Sequence, residues 1–265
     1  MKWAGGKAQL LPEIVARVPA SFGAYHEPFI GGGAVFFALA AGQRLGCGAF
    51  LSDVNPNLVD TWVAIRDKVR GVIAALGSHV NDEDYFYRVR ALEPGTLSAA
   101  ERAARVIFLN KTAFNGLYRE NASGRFNVPF GFYANPTLCD APNLRAVSKA
   151  LRGVSIETRD FRSVLDRAKA GDFVYFDPPY VPLSATASFT AYSRGGGFGP
   201  DEQTALRDVF ATLASRGVHV LLSNSDVPFV RALYAGFRIA QVWARRPINS
   251  NPNARGAVAE VLVTA

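Results

Sequence analysis

The segment Asp177-Pro178-Pro179-Tyr180 carries groups that could bind and activate an amino group. It follows the apolar run 173–176, a predicted strand, and ligands of open α/β folds bind beyond the carboxyl ends of strands. Two prolines fix the backbone and remove two N–H donors. An ionised Asp177 beside the Pro178 carbonyl offers two acceptors to an NH2 group, and a base could stack on Tyr180, worth about 1–3 kcal/mol. The alternative interpretation is a rigid turn at a strand end.

A glycine-rich segment near the N-terminus has the pattern of a cofactor-binding turn. Gly31 and Gly33 follow a predicted strand at 25–29 and precede a predicted helix at 34–41. Glycine at such a turn lets the backbone approach a cofactor closely. Asp53 lies 22 residues after Gly31, at the end of the next predicted strand. Its carboxylate could accept hydrogen bonds from ribose hydroxyls, or it could cap the following helix.

The sequence does not favour two other nucleotide-binding motifs. Phe36 stands where a dinucleotide-binding turn has its third glycine. Ala8 follows Gly6-Lys7 where a phosphate-binding loop has Ser or Thr, and no strand precedes it.

The composition limits the class of protein. The chain has 265 residues, 49% of them hydrophobic and 19% charged, which fits one large domain or a domain with an insert. The longest apolar run, 34–41, is far shorter than the ~20 residues of a membrane-spanning helix, and no secretory signal is visible. Cys47 and Cys139 cannot build a disulfide framework, and with three histidines we expect no metal site. A reducing cytoplasm is the simplest location; the oligomeric state stays open, with a monomer plausible.

The charge distribution points to a polyanionic partner. The net charge is +7, and residues 102–149 hold seven Lys or Arg against two Asp or Glu. Aromatic residues are interleaved with these cations, a pattern typical of a nucleic-acid-binding surface; they are Phe114, Tyr118, Phe126, Phe130, Phe132 and Tyr133. The alternative is a solvated helix face followed by a loop.

The order of predicted elements indicates an open α/β sheet interrupted by an insert. We expect a discontinuous catalytic domain, residues 1–59 and 152–265, around an insert at 60–151. Within the insert, residues 60–112 have a helical pattern and 112–142 are rich in Gly, Asn, Pro and aromatics. The elements predicted after the insert are strands at 154–159, 173–177, 218–223, 237–244 and 258–264, and a helix at 201–216.

These segments together resemble the Dam-type DNA adenine methyltransferases (D12 class, alpha group). The resemblance covers nearly the whole chain, and the order of its motifs is glycine-rich loop, insert, Asp-Pro-Pro-Tyr tetrad. The segments that match the family are residues 2–7, 27–33, 52–55, 109–118, 126–131, 177–180, 184–192 and 223–226.

The resemblance implies a Rossmann-like sheet that binds S-adenosylmethionine and an insert that recognises duplex DNA. It implies direct methyl transfer to the exocyclic N6 of an adenine rotated out of the duplex, with S-adenosylhomocysteine as product and no metal. The residues it assigns to catalysis are Asp177, Pro178, Pro179 and Tyr180. Those it assigns to the cofactor are Trp3, Lys7 (to the carboxylate of the methionine part), Phe29, Gly31, Gly33, Asp53, Asp160, Phe161 and Asp177.

The candidate DNA contacts lie in the insert and in the segment after the tetrad. Tyr118 and Phe114 are candidates to fill the gap left by the extruded base. The remaining candidates, for base or phosphate contacts, are Lys111, Asn115, Arg119, Arg125, Ser188 and Thr190. For Asp160, a helix cap is the alternative to a contact with the adenine ring of the cofactor.

The sequence leaves open the DNA sequence that is recognised and two rival functions. The best-known members of the family read G-A-T-C and carry Arg just before the glycine at position 124; Ser123 stands there, and Arg125 lies on the other side. That recognition sequence is therefore not carried over. An amino-methyltransferase acting on cytosine or on RNA would also suit the tetrad. A DNA-binding module without catalysis would keep the fold but not need the motifs.

Overall fold

The computed structural model describes residues 3, 6–7, 9–121, 123–182, 197–245 and 257–265. The strands are β1 Tyr25–Glu27, β2 Ala49–Asp53, β3 Ser155–Thr158, β4 Phe173–Phe176, β5 His219–Ser225, β6 Arg238–Arg245 and β7 Ala257–Thr264. The α-helices are α1 Leu11–Val15, α2 Ala34–Ala41, α3 Pro56–Gly77, α4 Glu83–Ala91, α5 Ala99–Thr112, α6 Ala141–Ala150, α7 Pro200–Ser215 and α8 Pro228–Leu233. Short 3-10 helices span Pro94–Thr96, Phe114–Gly116 and Phe161–Asp166.

Seven strands of the described residues form one sheet in the order β3-β2-β1-β4-β5-β7-β6. β1, β2, β4 and β5 run parallel. β7 pairs antiparallel with β5, and β6 pairs antiparallel with β7 at the edge of the sheet. The predicted α/β class and the predicted final pair of edge strands are confirmed.

The parallel strands end where the candidate residues begin. β1 ends at Glu27, shortly before the glycine turn; β2 ends at Asp53; and β4 ends at Phe176, directly before the tetrad. Because parallel strands present their carboxyl ends at one edge of a sheet, residues distant in sequence are brought to that edge.

Local sequence signals set the limits of the helices. The Asn55 side chain accepts from the backbone N–H groups of Asn57 and Leu58 at 3.0 and 3.2 Å, and Pro56 occupies the first turn of α3. Ser98 and Glu101 form a reciprocal capping box at the start of α5. The predicted helical stretch 60–112 is therefore three helices, each with its own start signal.

The chain forms two compact units. The helical unit comprises Met1–Gly6 and Asn55–Thr158, and the sheet unit comprises Lys7–Val54 and Arg159–Ala265. The core of the sheet unit packs Phe176 of β4 and Leu222 of β5 against Leu206 and Phe210 of α7, all with 0% exposure. None of the helices in the described ranges combines the length and apolarity needed to cross a bilayer.

Candidate active site

The Asp-Pro-Pro-Tyr tetrad follows a strand that is buried along its whole length. All four residues of β4 are buried, whereas Asp177, Pro179 and Tyr180 are half-buried. Since neither proline can donate a hydrogen bond, β4 pairing cannot continue through the tetrad. The strand therefore delivers Asp177 to the edge of the sheet with its carboxylate still accessible, 19% of the side chain being exposed.

One oxygen of the Asp177 carboxylate is held by two side chains. Lys7 Nζ lies 2.7 Å from Oδ1, and the Ser223 hydroxyl donates to the same oxygen at 3.0 Å. No described residue forms a hydrogen bond or ion pair with Oδ2. Burial raises the pKa of Asp177, and the nearby Lys7 charge and the two hydrogen bonds oppose that rise. The second oxygen thus remains available to a ligand.

Lys7 contacts two members of the tetrad. Its side chain is 7% exposed, and Nζ lies over the Tyr180 ring at 4.4 Å from the centroid, in addition to its ion pair with Asp177. The family resemblance implied a contact with the cofactor for Lys7. The structure places its ammonium against Asp177, a contact that no local sequence pattern indicated, and the cofactor contact stays a prediction.

Ser223 is positioned by the parallel register of β4 and β5. Phe176 pairs with Leu222, so the next residues, Asp177 and Ser223, face one another across the two strands. Because the Ser223 hydroxyl donates to Asp177, its oxygen can accept from the Tyr175 hydroxyl, which lies 2.9 Å away. The segment 223–226 matched the family, but the role of Ser223 was not predicted.

Tyr180 is held at its hydroxyl end. That hydroxyl donates to Oε2 of Glu260 at 2.9 Å, and Glu260 is a β7 residue with 7% exposure. Glu260 was not among the predicted site residues, because nothing in the final strand sets it apart from an ordinary polar residue.

The glycine turn and Asp53 are in direct contact. Gly31 and Gly33 have φ angles of 45° and 69°, in the left-handed region that favours glycine. The Gly31 N–H donates to Oδ2 of Asp53 at 3.3 Å. The cap of α3 is Asn55 and not Asp53, so the alternative interpretation of Asp53 as a helix cap is wrong.

Phe29 and Phe161 lie beside one another in the sheet unit. Their ring centroids are 5.5 Å apart at an interplanar angle of 23°, and Phe198 packs edge-on against both rings. Asp160 caps the 3-10 helix that starts at Phe161, accepting from the Arg162 N–H at 2.9 Å. The cap predicted as an alternative for Asp160 is therefore present. Phe198 was not predicted.

A family model described as "D12 class N6 adenine-specific DNA methyltransferase" matches residues 3–248. The chain belongs to this family of methyltransferases. It is 40% identical to "Type II methyltransferase M1.LlaDCHI" of Lactococcus lactis subsp. cremoris, over 99% of this chain and 93% of the relative. It is 40% identical to "Type II methyltransferase M.MjaIII" of Methanocaldococcus jannaschii, over 96% and 94% of the two chains. It is 32% identical to "DNA adenine methylase" of Haemophilus influenzae, over 99% and 91%.

The predicted family and enzyme class are therefore confirmed: the protein is an adenine-specific DNA methyltransferase with a Rossmann-like α/β sheet.

Trp3 and Tyr118 of the methyltransferase lie together in the helical unit. Their rings stack at 5.0 Å between centroids with an interplanar angle of 27°. Tyr118 is 7% exposed, and its hydroxyl donates to Glu120, which also accepts from the Asn57 side chain at 2.7 Å. In this conformation the Tyr118 ring therefore faces the interior of the helical unit, whereas Phe114 is 51% exposed.

The cationic candidates of the methyltransferase differ in their exposure. Arg119 and Arg125 are exposed, and Lys111 is half-buried. The Arg119 guanidinium donates to Oδ1 of Asn127 at 2.7 Å. Asn115 is half-buried and adopts a left-handed φ of 56°. The predicted phosphate contacts Ser188 and Thr190 lie outside the described residues.

A buried carboxyl group in β1 should make the stability of the methyltransferase depend on pH. Glu27 is 2% exposed, and burial raises its pKa from 4.5 to about 8. Between pH 4.5 and about pH 8, Glu27 is ionised in the unfolded chain but protonated in the folded chain. The contribution of Glu27 to the free energy of unfolding is therefore fully present below pH 4.5 and is lost as pH rises towards 8. The loss is at most about 1.4 kcal/mol per pH unit. We expect the thermal midpoint of Glu27→Gln, compared with that of the parent at the same pH, to be more favourable at pH 8 than at pH 5. Circular dichroism measures both midpoints at each pH. An equal shift at both pH values would contradict this.

Proposed function

We propose that this methyltransferase transfers a methyl group from S-adenosylmethionine to N6 of an adenine that has been rotated out of duplex DNA and bound beside Asp177. Rotation is required because the amino group of a stacked and paired base is out of reach, and it costs a few kcal/mol.

A pair of neighbouring acceptors in the tetrad carries this proposal. Oδ1 of Asp177 is occupied by Lys7 and Ser223, but Oδ2 has no bond from any described residue. No described residue donates to the Pro178 carbonyl either, whereas the Pro179 carbonyl accepts from Gln203 at 2.9 Å. Oδ2 and the Pro178 carbonyl therefore suit the two N–H groups of an exocyclic amine.

These acceptors address the main obstacle to the reaction, which is the weak nucleophilicity of N6. Its lone pair is delocalised into the purine ring, and hydrogen bonds from both N–H groups localise that pair on nitrogen. A bond to an ionised acceptor is roughly twice as strong as a neutral one, so Asp177 matters more than Pro178. Holding the nitrogen ~3–3.5 Å from the reacting carbon, in line for displacement, contributes the rest. The Tyr180 ring, fixed through Glu260, offers the stacking surface.

The residues at the glycine turn suit S-adenosylmethionine. The left-handed Gly31 and Gly33 allow close backbone approach, Asp53 does not cap α3, and the Phe29 ring stacks on the buried Phe161 ring. When bound, the cofactor supplies an electrophilic methyl group and leaves as S-adenosylhomocysteine. Lys7 lies against Asp177, so we assign it the additional task of keeping that carboxylate ionised. Trp3 and Asp160 complete the proposed cofactor residues.

DNA binding is proposed for the helical unit, which contains the whole predicted insert 60–151. Lys111, Arg119 and Arg125 supply positive charge for bases or phosphates. Phe114 suits the gap in the duplex better than Tyr118, because half of its side chain is exposed while Tyr118 is buried. Asn115 remains a proposed DNA contact.

Identification of the methylated nucleoside tests this function. The protein is incubated with duplex DNA and S-adenosylmethionine labelled in the methyl group, and the DNA is digested to nucleosides and separated. We expect label in N6-methyladenine. Label in N4-methylcytosine would indicate the rival cytosine enzyme, label found only with an RNA substrate would indicate an RNA enzyme, and no label with any substrate would indicate a DNA-binding module.

A further inference from the structure

A fully buried glutamine of α7 contacts the backbone of the tetrad. Gln203 has 0% exposure, and its Nε2 donates to the Pro179 carbonyl at 2.9 Å. Its Oε1 accepts from the Asn224 side chain at 3.0 Å. Asn224 is also 0% exposed. A buried amide is unfavourable unless its donors and acceptors are bonded, and both amides use theirs on or next to the tetrad.

Asn224 and its neighbour hold the residue that follows the tetrad. Oδ1 of Asn224 accepts from the Val181 N–H at 3.2 Å and from the Ser225 N–H at 2.8 Å. The Ser225 hydroxyl donates to the Val181 carbonyl at 2.7 Å. The backbone is thus fixed at the Pro179 carbonyl and at both polar groups of Val181.

The two prolines explain why side chains have to hold the backbone of the tetrad. Neither proline has an N–H group, so strand pairing cannot fix the middle of the tetrad, and the backbone of the two prolines can be held only through their carbonyl groups. Gln203 takes one of the two proline carbonyls and leaves the other, at Pro178, without a described donor. The side chain therefore selects which carbonyl is offered to the amine.

We propose that Gln203, supported by Asn224, is a positioning residue for methyl transfer: it anchors the Pro179 carbonyl so that the Pro178 carbonyl and Asp177 Oδ2 keep the spacing that the amine requires. The proposal rests on the function proposed above. It assigns Gln203 no contact with substrate or cofactor. Its effect is on the rate of transfer, since a shift of about 1 Å in a reacting geometry can lower a rate about 100-fold.

Gln203→Met tests this role because methionine matches the length of glutamine but cannot hydrogen-bond to Pro179 or Asn224. We expect kcat per folded enzyme to fall about 10- to 100-fold, while KM for DNA and Kd for S-adenosylmethionine change less than threefold. Leu206→Ala is the matched control, since Leu206 is a fully buried residue of the same helix that packs in the core. It should lower the thermal midpoint and leave kcat per folded enzyme within twofold.

Gln203→Glu keeps the proposal testable if the methionine variant does not fold. A protonated carboxyl can still donate to the Pro179 carbonyl, whereas an ionised one cannot. We therefore expect this variant to approach the parent kcat at low pH and to lose it as pH rises, with the parent measured over the same range. If the parent forms N6-methyladenine but Gln203→Met keeps kcat within twofold, or Gln203→Glu follows the parent pH profile, Gln203 is not a positioning residue. If the parent forms no N6-methyladenine, the proposed function itself fails.

Discussion

Replacement of Asp177 by alanine should abolish measurable turnover, a loss of about 1,000-fold or more in kcat. Removing one preorganised charge-stabilising group from an active site lowers kcat by about 100- to 1,000-fold, and here the lost group is both an ionised acceptor and the ion-pair partner of Lys7. Single-turnover methylation of duplex DNA at saturating S-adenosylmethionine measures the effect.

Asp177→Asn tests the roles of the two carboxylate oxygens separately. The amide oxygen can still accept from Lys7 and Ser223 in the position of Oδ1, but an NH2 group then stands in place of Oδ2 and faces the N–H groups of the substrate. We expect this variant to be nearly as inactive as the alanine variant but still to bind duplex DNA and S-adenosylmethionine. Asp166→Asn, at an exposed carboxylate of the sheet unit, is the control and should be fully active. Near-parental rates for Asp177→Asn would contradict the role of Oδ2.

The parts of the site that are local in sequence could be predicted. The tetrad directly follows an all-apolar strand, and the glycine turn comes shortly after β1. A few neighbouring residues were therefore enough to predict where each motif lies. The parallel order of these strands then brings them to one edge. Asn55 also followed its local signal, because Asn followed by Pro marks a helix start.

The contacts that complete the site could not be predicted, because they join residues far apart in the chain. Ser223 reaches Asp177 across 46 residues, and Tyr180 reaches Glu260 across 80. Their side chains are ordinary polar residues in their own segments. Only the register of β4, β5 and β7 shows that they point towards the tetrad.

Tyr118 illustrates a second limit of sequence reasoning. An aromatic residue in a basic, loop-rich segment is expected to be accessible, yet this ring is buried against Trp3 and its hydroxyl is bonded to Glu120. Its neighbour Phe114, with the same kind of side chain in the same segment, is exposed. Composition predicts a nucleic-acid surface here but cannot assign individual rings to it, because that depends on which ring finds a stacking partner.

Loss of the Lys7 charge should move the acid limb of the pH–rate profile to higher pH. Asp177 must be ionised to accept a strong hydrogen bond from the amine; burial raises its pKa, and Lys7, 2.7 Å away, lowers it. An opposite charge at such a distance lowers a carboxyl pKa by about 1–3 units, so Lys7→Met should shift the acid limb of kcat/KM upward by about that amount. Below the new limb the rate falls about tenfold per pH unit.

Three companion measurements make the Lys7 prediction specific to charge. Lys7→Arg retains a cation and should keep the limb within about half a pH unit of the parent, whereas Lys149→Met removes an exposed charge from α6 and should not move it. Because Lys7 is also a proposed cofactor residue, the profiles are recorded at saturating S-adenosylmethionine, with its Kd measured separately. If Lys7→Met weakens cofactor binding but leaves the acid limb in place, Lys7 acts on the cofactor alone and does not maintain the ionisation of Asp177.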